Sequence, residues 1–389
     1  MITTEHPTIT AMLGEHACTD PRYLFDDGAK PLAVRLNYIH RELRATAGLA
    51  SLQRIAIAVY DQGNDRVKTF VESNIGGAAI GSGEAVLARM GSLRKLALVR
   101  APRIIDEITR DAPGRLAELY RNGIRSSMTV PIYSQSQLFG FIFFDADRSD
   151  FFHGTVSDRL LPYAKLLALV LIHEIMTIRL VRAMARTAQE LTRQRDYETA
   201  SHLERMANYA RLIAVEGAKS WGLTDEFVEH LFWFAPLHDI GKVAVRDSIL
   251  LKPGKLTEAE MSEMKLHVAR GVEIIDAITR DFGLQTIPYM GVARNIIAFH
   301  HENVDGSGYP MGAMGNEIPI EGRIIAVADV FDALTSDRPY KRRWSNEDAI
   351  DHVRKLSGRK FDPDCVEAFI RRMDDVVEIQ ERFPGDIAL

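Results

Sequence analysis

Between Glu198 and Asp329 the chain carries eight side chains able to bind metal through nitrogen or oxygen: Glu198, His202, His238, Asp239, His267, His300, His301 and Asp329. Five of the twelve histidines fall in this set, and none is accompanied by cysteine. Imidazole and carboxylate donors without thiolates favour iron, manganese, zinc or nickel over a structural zinc–sulfur site. Eight donors exceed what one tetrahedral ion uses, so the set predicts two or three metals close together. Metal pairs roughly 3.5–4 Å apart are a common clamp for displacement at a phosphoester. The sequence is therefore that of a candidate metal-dependent hydrolase.

The spacing assigns each donor an element. Glu198 and His202 are four apart in a helical stretch, which predicts one face, about one turn from each other. Leu237-His238-Asp239-Ile240-Gly241-Lys242 follows an apolar helix expected over residues 227–234. An adjacent His and Asp supply one nitrogen and one or two oxygens, and a carboxylate can bridge two cations. Gly241 permits a tight turn or close packing, and Lys242 offers a positive charge to a phosphate. His267 belongs to an amphipathic helix whose start is signalled by Thr257 and Glu260, a capping box. His300-His301-Glu302 runs into Asp305-Gly306-Ser307-Gly308-Tyr309-Pro310, a turn stiffened by proline. Neighbours on a helix diverge by about 100°; the two imidazoles could serve different metals, or one could sit where the helix ends. Asp329 lies in a helix expected over residues 323–335, with Ile324, Ala328, Phe331 and Leu334 as its buried stripe. Asp329 and Asp332 share another edge, where a carboxylate is costly to bury unless paired or metal-bound. Arg338-Pro339-Tyr340-Lys341 places two cations suited to phosphate around a rigid proline.

These donors occupy only part of a chain of 389 residues, long enough for two domains. Hydrophobic residues make up 46% and charged residues 26%, as in ordinary globular proteins. A net charge of −5 gives no electrostatic reason to bind long nucleic acids or anionic membranes. Cys18 and Cys365 are the only cysteines, which fits a reducing compartment, the cytoplasm. The N-terminus lacks a signal-peptide pattern, and no apolar run approaches the ~18–20 residues that span a bilayer. The expected organisation is an N-terminal segment (1–30), an α+β domain (31–156), a connecting helix (157–197) and an all-α domain (198–389).

In the first domain, residues 34–47 have helical apolar spacing with Gly48 as the stop. Residues 54–61 and 128–133 are β-like, the second an edge strand or bulged because of Pro131. Residues 138–145 form a near-continuous apolar run, as for a strand buried on both faces, and Gln135-Ser136-Gln137 marks a short hairpin connection. The early helix and strand, with the hairpin SSMTVPIY…LFGFIFFD, resemble a GAF domain, a small sensor fold. No residue set names its ligand, and His153 or His173 alone makes no haem site. In the following helical stretch Ile172, Met176, Leu180, Met184, Ala188 and Leu191 form a stripe. It packs either on its own domain or on its mate in a homodimer through the GAF-like domain and connecting helix.

The strings E-T-A-S-H, L-H-D-I-G-K, H-H-E-N-V-D-G-S-G-Y-P and A-D-V-F-D-A-L-T-S-D-R-P-Y-K, together with the His267 helix, resemble the HD-GYP domain, a branch of the HD superfamily. The resemblance implies an all-helical phosphodiesterase hydrolysing cyclic di-GMP to pGpG and, in some members, GMP, through a hydroxide bridging two or three metals. It implies His202, His238, Asp239, His267, His300, His301 and Asp329 as ligands, Asp239 bridging. Glu198 corresponds to the extra ligand of members with a trinuclear iron centre; iron is the first expectation and manganese the second. Lys242, Arg338 and Lys341 correspond to phosphate-contacting residues, and Tyr309 to one that shapes the pocket or touches substrate. Asp239 and Lys242 are the expected catalytic pair. Val304 replaces an aromatic usual before D-G, and residues 281–291 are either a lid or a longer loop. Three alternatives stay open: a receptor that binds without turnover, a di-iron oxygenase, and hydrolysis of a related cyclic dinucleotide.

Overall fold

Runs of buried residues along 52–61 and 66–74 build the first half of the molecule on a sheet. The computed structural model describes residues 30–63, 65–75, 84–191, 199–337 and 342–384. Contacts divide the chain into two units, residues 1–176 and 177–389.

Unit 1 holds one six-stranded sheet in the order β3-β2-β1-β6-β5-β4, with antiparallel pairing throughout. The strands are β1 (Leu52–Asp61), β2 (Arg66–Asn74), β3 (Glu84–Val86), β4 (Arg103–Ile105), β5 (Ser126–Ser134) and β6 (Gln137–Ala146). Helices α1 (Leu32–Ala45), α2 (Gly91–Val99) and α3 (Arg115–Arg121) complete it with the first part of α4 (Thr155–Leu191). β6 is a central strand between β1 and β5, and its apolar run is buried on both faces, with consecutive residues enclosed from Phe139 to Ile142 and from Phe144 to Ala146. The β5–β6 turn is tighter than expected. Ser134 pairs with Gln137, and Gln135 and Ser136 both adopt positive φ, as a two-residue hairpin demands. Pro131 lies beyond the reach of β4, which pairs only as far as Thr129, and a register shift follows at Ile132/Tyr133. Its missing N–H therefore breaks no ladder. Across the sheet, Arg54 pairs with Asp145 (2.7 Å) and Glu72 (2.9 Å), so these buried charges compensate one another.

The division between units falls inside α4. Leu160, Ala164, Leu167, Leu171 and Ile175 are buried in unit 1, whereas Ile178 and Val181 join the core of unit 2. The expected stripe lies on the opposite side, where Met176 and Leu180 are exposed together with Leu166 and Leu169. Ala188 and Leu191 carry no described side chains. The uninterrupted helical stretch is also corrected, because Thr199 caps a new helix, its side chain accepting from the amide of His202 (3.1 Å).

Unit 2 is helical: α5 (Ala200–Trp221), α6 (Asp225–Phe234), α7 (Asp247–Leu250), α8 (Glu258–Asp281), α9 (Met290–Phe299), α10 (Ile320–Thr335), α11 (Asn346–Lys355), α12 (Pro363–Ile370) and α13 (Met373–Arg382). The Thr257/Glu260 capping box starts α8 as expected. Residues 281–291 contain a short 3₁₀ turn, Leu284–Thr286, and enter α9 with Ile287 and Met290 buried. The stripe Ile324, Ala328, Phe331 and Leu334 of α10 is buried, and Phe331 packs edge-on against Tyr209 (5.6 Å) and Phe369 (4.7 Å). Removing a ring so enclosed costs about 3–5 kcal/mol. That packing fixes the helix that presents Asp329 and Asp332. No helix among the described residues is long and apolar enough to cross a membrane.

Candidate metal centre

Five separate segments of unit 2 bring the donors together. His202 stands in the first turn of α5. His238 and Asp239 lie between two 3₁₀ turns, Ala235–Leu237 and Ile240–Ala244, that follow α6. His267 is on α8, His300 and His301 follow the end of α9, and Asp329 is on α10. Gly241 explains how the second segment meets the third. A Cβ there would overlap the carbonyl oxygen of His267 and the amide of Gly271. Only glycine lets this turn lie on α8 and set Asp239 beside His267. The loop after His301 is clamped in turn: Glu302, buried, accepts from the amides of Met311 (2.7 Å) and Ala313 (3.1 Å), and the Tyr309 amide donates to the His301 carbonyl (3.2 Å). A Cβ on Gly308 would strike the backbone of Glu302 and Asn303.

The donors form two groups: Asp239 with His267, His300 and His301, and His202 with His238 and Asp329. Asp239 faces both. Its Oδ1 is 3.0 Å from His267 Nε2 and 3.5 Å from His300 Nε2, and its Oδ2 is 3.2 Å from His238 Nε2. Asp329 Oδ1 is 3.8 Å from His202 Nε2 and 4.0 Å from His238 Nε2.

The ring orientations decide what these atoms offer. His238 Nδ1 donates to the Ala235 carbonyl (3.1 Å), His267 Nδ1 to the Met264 carbonyl (2.7 Å), and His300 Nδ1 to the Ile297 carbonyl (2.9 Å). Carbonyl oxygens only accept, so each Nδ1 carries the proton and each Nε2 presents its lone pair inward. His202 reaches the same state through Asp332, whose Oδ2 lies 2.7 Å from Nδ1. The Nε2 atoms of His267 and His300 face each other at 3.5 Å. Two lone pairs at that distance repel unless a cation lies between or beside them. Burial, reinforced at His301 by neighbouring His300, lowers the pKa of His300 and His301, so both stay neutral and competent to ligate. Burial works to raise the Asp239 carboxyl, but the Lys242 ammonium at 2.8 Å opposes it most strongly, and the carboxyl lies well below the usual range. Asp239 Oδ1 is nevertheless buried without a hydrogen bond. An ionised oxygen in that state, ringed by inward lone pairs, fits a divalent cation and fits little else.

The structure thus assembles seven of the eight expected ligands. Glu198 lies outside the described residues. Arg338 and Lys341 also lie outside the described residues. His300 and His301 fall in the same group, their rings 4.1 Å apart, rather than facing different groups. Tyr309 stacks on His301 (4.6 Å) with the Lys265 ammonium over its other neighbourhood (4.8 Å from the ring centre), and burial keeps its hydroxyl protonated. Three residues went unnoticed in the sequence. Arg205 pairs with Asp332 through Nε (2.6 Å) and a terminal nitrogen (2.9 Å). Glu302 clamps the loop. Lys360 is half-buried, with its ammonium pKa pulled down by burial against the pull of Asp329. The Asp329/Asp332 edge was the one available signal for Arg205, since a second buried carboxylate demands a cation.

Residues 191–365 match the family model described as the HD domain. A cyclic di-GMP phosphodiesterase response regulator of Xanthomonas campestris pv. campestris is 46% identical over 189 residues, 49% of this chain and 47% of that protein. A cyclic di-GMP phosphodiesterase of Vibrio cholerae is 40% identical over 215 residues, 54% of this chain and 43% of that protein. A 3′3′-cGAMP-specific phosphodiesterase of Vibrio cholerae is 42% identical over 190 residues, 49% of this chain and 34% of that protein. The chain spans less than half the length of each of these relatives.

Proposed function

We propose that this chain, whose residues 191–365 match the HD domain, is a metal-dependent phosphodiesterase of the HD-GYP type that hydrolyses cyclic di-GMP to pGpG, with GMP as a further product. The observation that carries this is the convergence of inward Nε2 lone pairs on the buried, hydrogen-bond-free Oδ1 of Asp239. Bound cations would supply a water of lowered pKa and neutralise phosphate charge.

The protein's own contribution is positional. Asp239 faces both groups and would join two ions; His267, His300 and His301 would hold one, and His202, His238 and Asp329 the other. Glu198 would serve a third. Iron is the proposed metal, with manganese as the alternative, in keeping with donors that include no thiolate. Lys242, whose ammonium lies 2.8 Å from Asp239 Oδ2, would offer positive charge to the phosphate and stabilise charge in the transition state. Arg338 and Lys341 would hold the other phosphate, and Tyr309 would border the base or sugar. The GAF-like α+β unit is proposed as a sensor for a ligand still to be identified, and a homodimer would form through it and α4. The proposed location is the cytoplasm.

A second substrate is favoured by one observation: a 3′3′-cGAMP-specific relative is 42% identical, between the 46% and 40% of the two cyclic di-GMP relatives. Anaerobically purified full-length protein, incubated in parallel with cyclic di-GMP and 3′3′-cGAMP, tests both. The expected outcome is pGpG or GMP at the higher kcat/KM. Preferred cleavage of 3′3′-cGAMP would transfer the assignment to that substrate. Dioxygen consumption without cleavage of either would replace it with oxygenase chemistry.

A further inference from the structure

Asp329 and Asp332 stand three residues apart on α10, yet their surroundings differ. Asp329 is partly exposed and faces His202 and His238 across the site. Asp332 is fully buried and saturated. Its Oδ1 accepts from Arg205 Nε (2.6 Å); its Oδ2 accepts from His202 Nδ1 (2.7 Å), from Arg205 (2.9 Å) and from the Ser336 hydroxyl (3.0 Å). With its oxygens so occupied it has no room to ligate. Arg205 is itself anchored at two further points, the Phe383 carbonyl (2.9 Å) and Ser336 Oγ (2.7 Å). His202 and Arg205 are three apart on α5, on neighbouring positions of one face. A single turn of helix therefore supplies both a ligand and the cation that pairs with the ligand's partner.

This differs from the other tethered imidazoles. His238, His267 and His300 each donate a hydrogen bond from Nδ1 to a neutral backbone carbonyl, whereas His202 donates to a carboxylate. A carboxylate partner polarises the imidazole further and raises the basicity of Nε2. The bidentate guanidinium of Arg205 fixes that carboxylate in place against the His202 ring.

We propose that Asp332 and Arg205 are positioning residues that selectively strengthen the metal site formed by His202, His238 and Asp329, and not the site of His267, His300 and His301, where His267 and His300 are tethered to backbone carbonyls. The inference rests on the metal centre proposed above. The test is Mn²⁺ titration of chelator-treated full-length protein, with free ion followed by electron paramagnetic resonance, for wild type, Asp332→Asn and Arg205→Lys. Wild type should bind Mn²⁺ in at least two classes of site. Asp332→Asn keeps the side-chain shape and should weaken one class by roughly 10–100-fold while sparing the other. Arg205→Lys retains the charge but not the fork, and should weaken the same class by a smaller factor. Far-ultraviolet circular dichroism establishes that each variant is folded, and should Asp332→Asn fail to fold, Arg205→Lys alone decides. Titrations superimposable on wild type, or equal weakening of both classes, would overturn the proposal while leaving the metal centre standing. Wild-type protein that binds no Mn²⁺ would remove the metal centre itself, and the inference with it.

Discussion

Gly241 lies so close to His267 that a methyl group on its Cα would overlap the histidine's carbonyl oxygen. This contact seats the turn carrying Asp239 on the helix carrying His267, and the resulting Oδ1–Nε2 distance is 3.0 Å. The two groups of donors meet at Asp239, so the geometry of the whole site depends on that approach.

Gly241→Ala should therefore separate Asp239 from His267. Overpacking against backbone costs about 1–3 kcal/mol, and the lost alignment should reduce both metal content and turnover at least tenfold. Metal analysis beside a thermal melt checks this. A variant with wild-type metal content would show that the close approach does not organise the site.

Tyr309 stacks on His301 at 4.6 Å and 30°. Tyr309→Phe keeps the stack and should retain metal binding and most of the turnover. Tyr309→Ala removes it and should lower kcat/KM by roughly tenfold, the scale of one aromatic pair, with metal content preserved. Equal effects of both variants would place the importance on the hydroxyl instead.

The extent of the site's legibility follows from where each residue gets its meaning. His238-Asp239 and His300-His301 announce themselves because adjacent donors are uncommon and their flanking glycines fix a turn. The Thr257/Glu260 box and the α10 stripe were equally readable, being local periodicities. Arg205 and Glu302 were not readable, because each acquires its role from a partner distant in sequence: Arg205 from Asp332, Glu302 from the amides of Met311 and Ala313. In unit 1, β2 and the short strands β3 and β4 were missed since pairing across the sheet, rather than a strong apolar run, defines them. The helix boundary at Thr199 was missed for the opposite reason: a serviceable N-cap was hidden in a stretch with no glycine or proline.

Unit 1 should lose stability in acid through His40. Its Nε2 donates to the Leu52 carbonyl (3.1 Å), and its Nδ1 accepts from Ser73 (2.8 Å), so the buried ring is neutral. Burial lowers its pKa from 6.5 to about 4. The unfolded chain takes up this proton below about pH 6.5 and the folded chain only near 4. The contribution is thus complete above 6.5 and is lost as pH falls through that window, amounting to roughly 3 kcal/mol at most. Denaturant melts of unit 1's transition between pH 7 and 4 should show the slope, and His40→Asn should flatten it. An unchanged slope would assign the acid sensitivity elsewhere.

On α4, Leu166, Leu169, Met176 and Leu180 are exposed at steps of three, seven and four residues, the spacing of a two-stranded seam. Leu169→Glu with Leu180→Glu should convert the proposed dimer to monomer in light scattering, with helical content unchanged. A wild-type protein already monomeric at micromolar concentration would contradict the dimer.

The central claim is that Asp239 joins two metal ions that act on a cyclic dinucleotide phosphodiester. Steady-state hydrolysis of cyclic di-GMP by Asp239→Ala, measured beside metal-loaded wild type, tests it most directly. The account predicts turnover by wild type and none detectable in the variant, whereas cleavage by Asp239→Ala at the wild-type rate would contradict it.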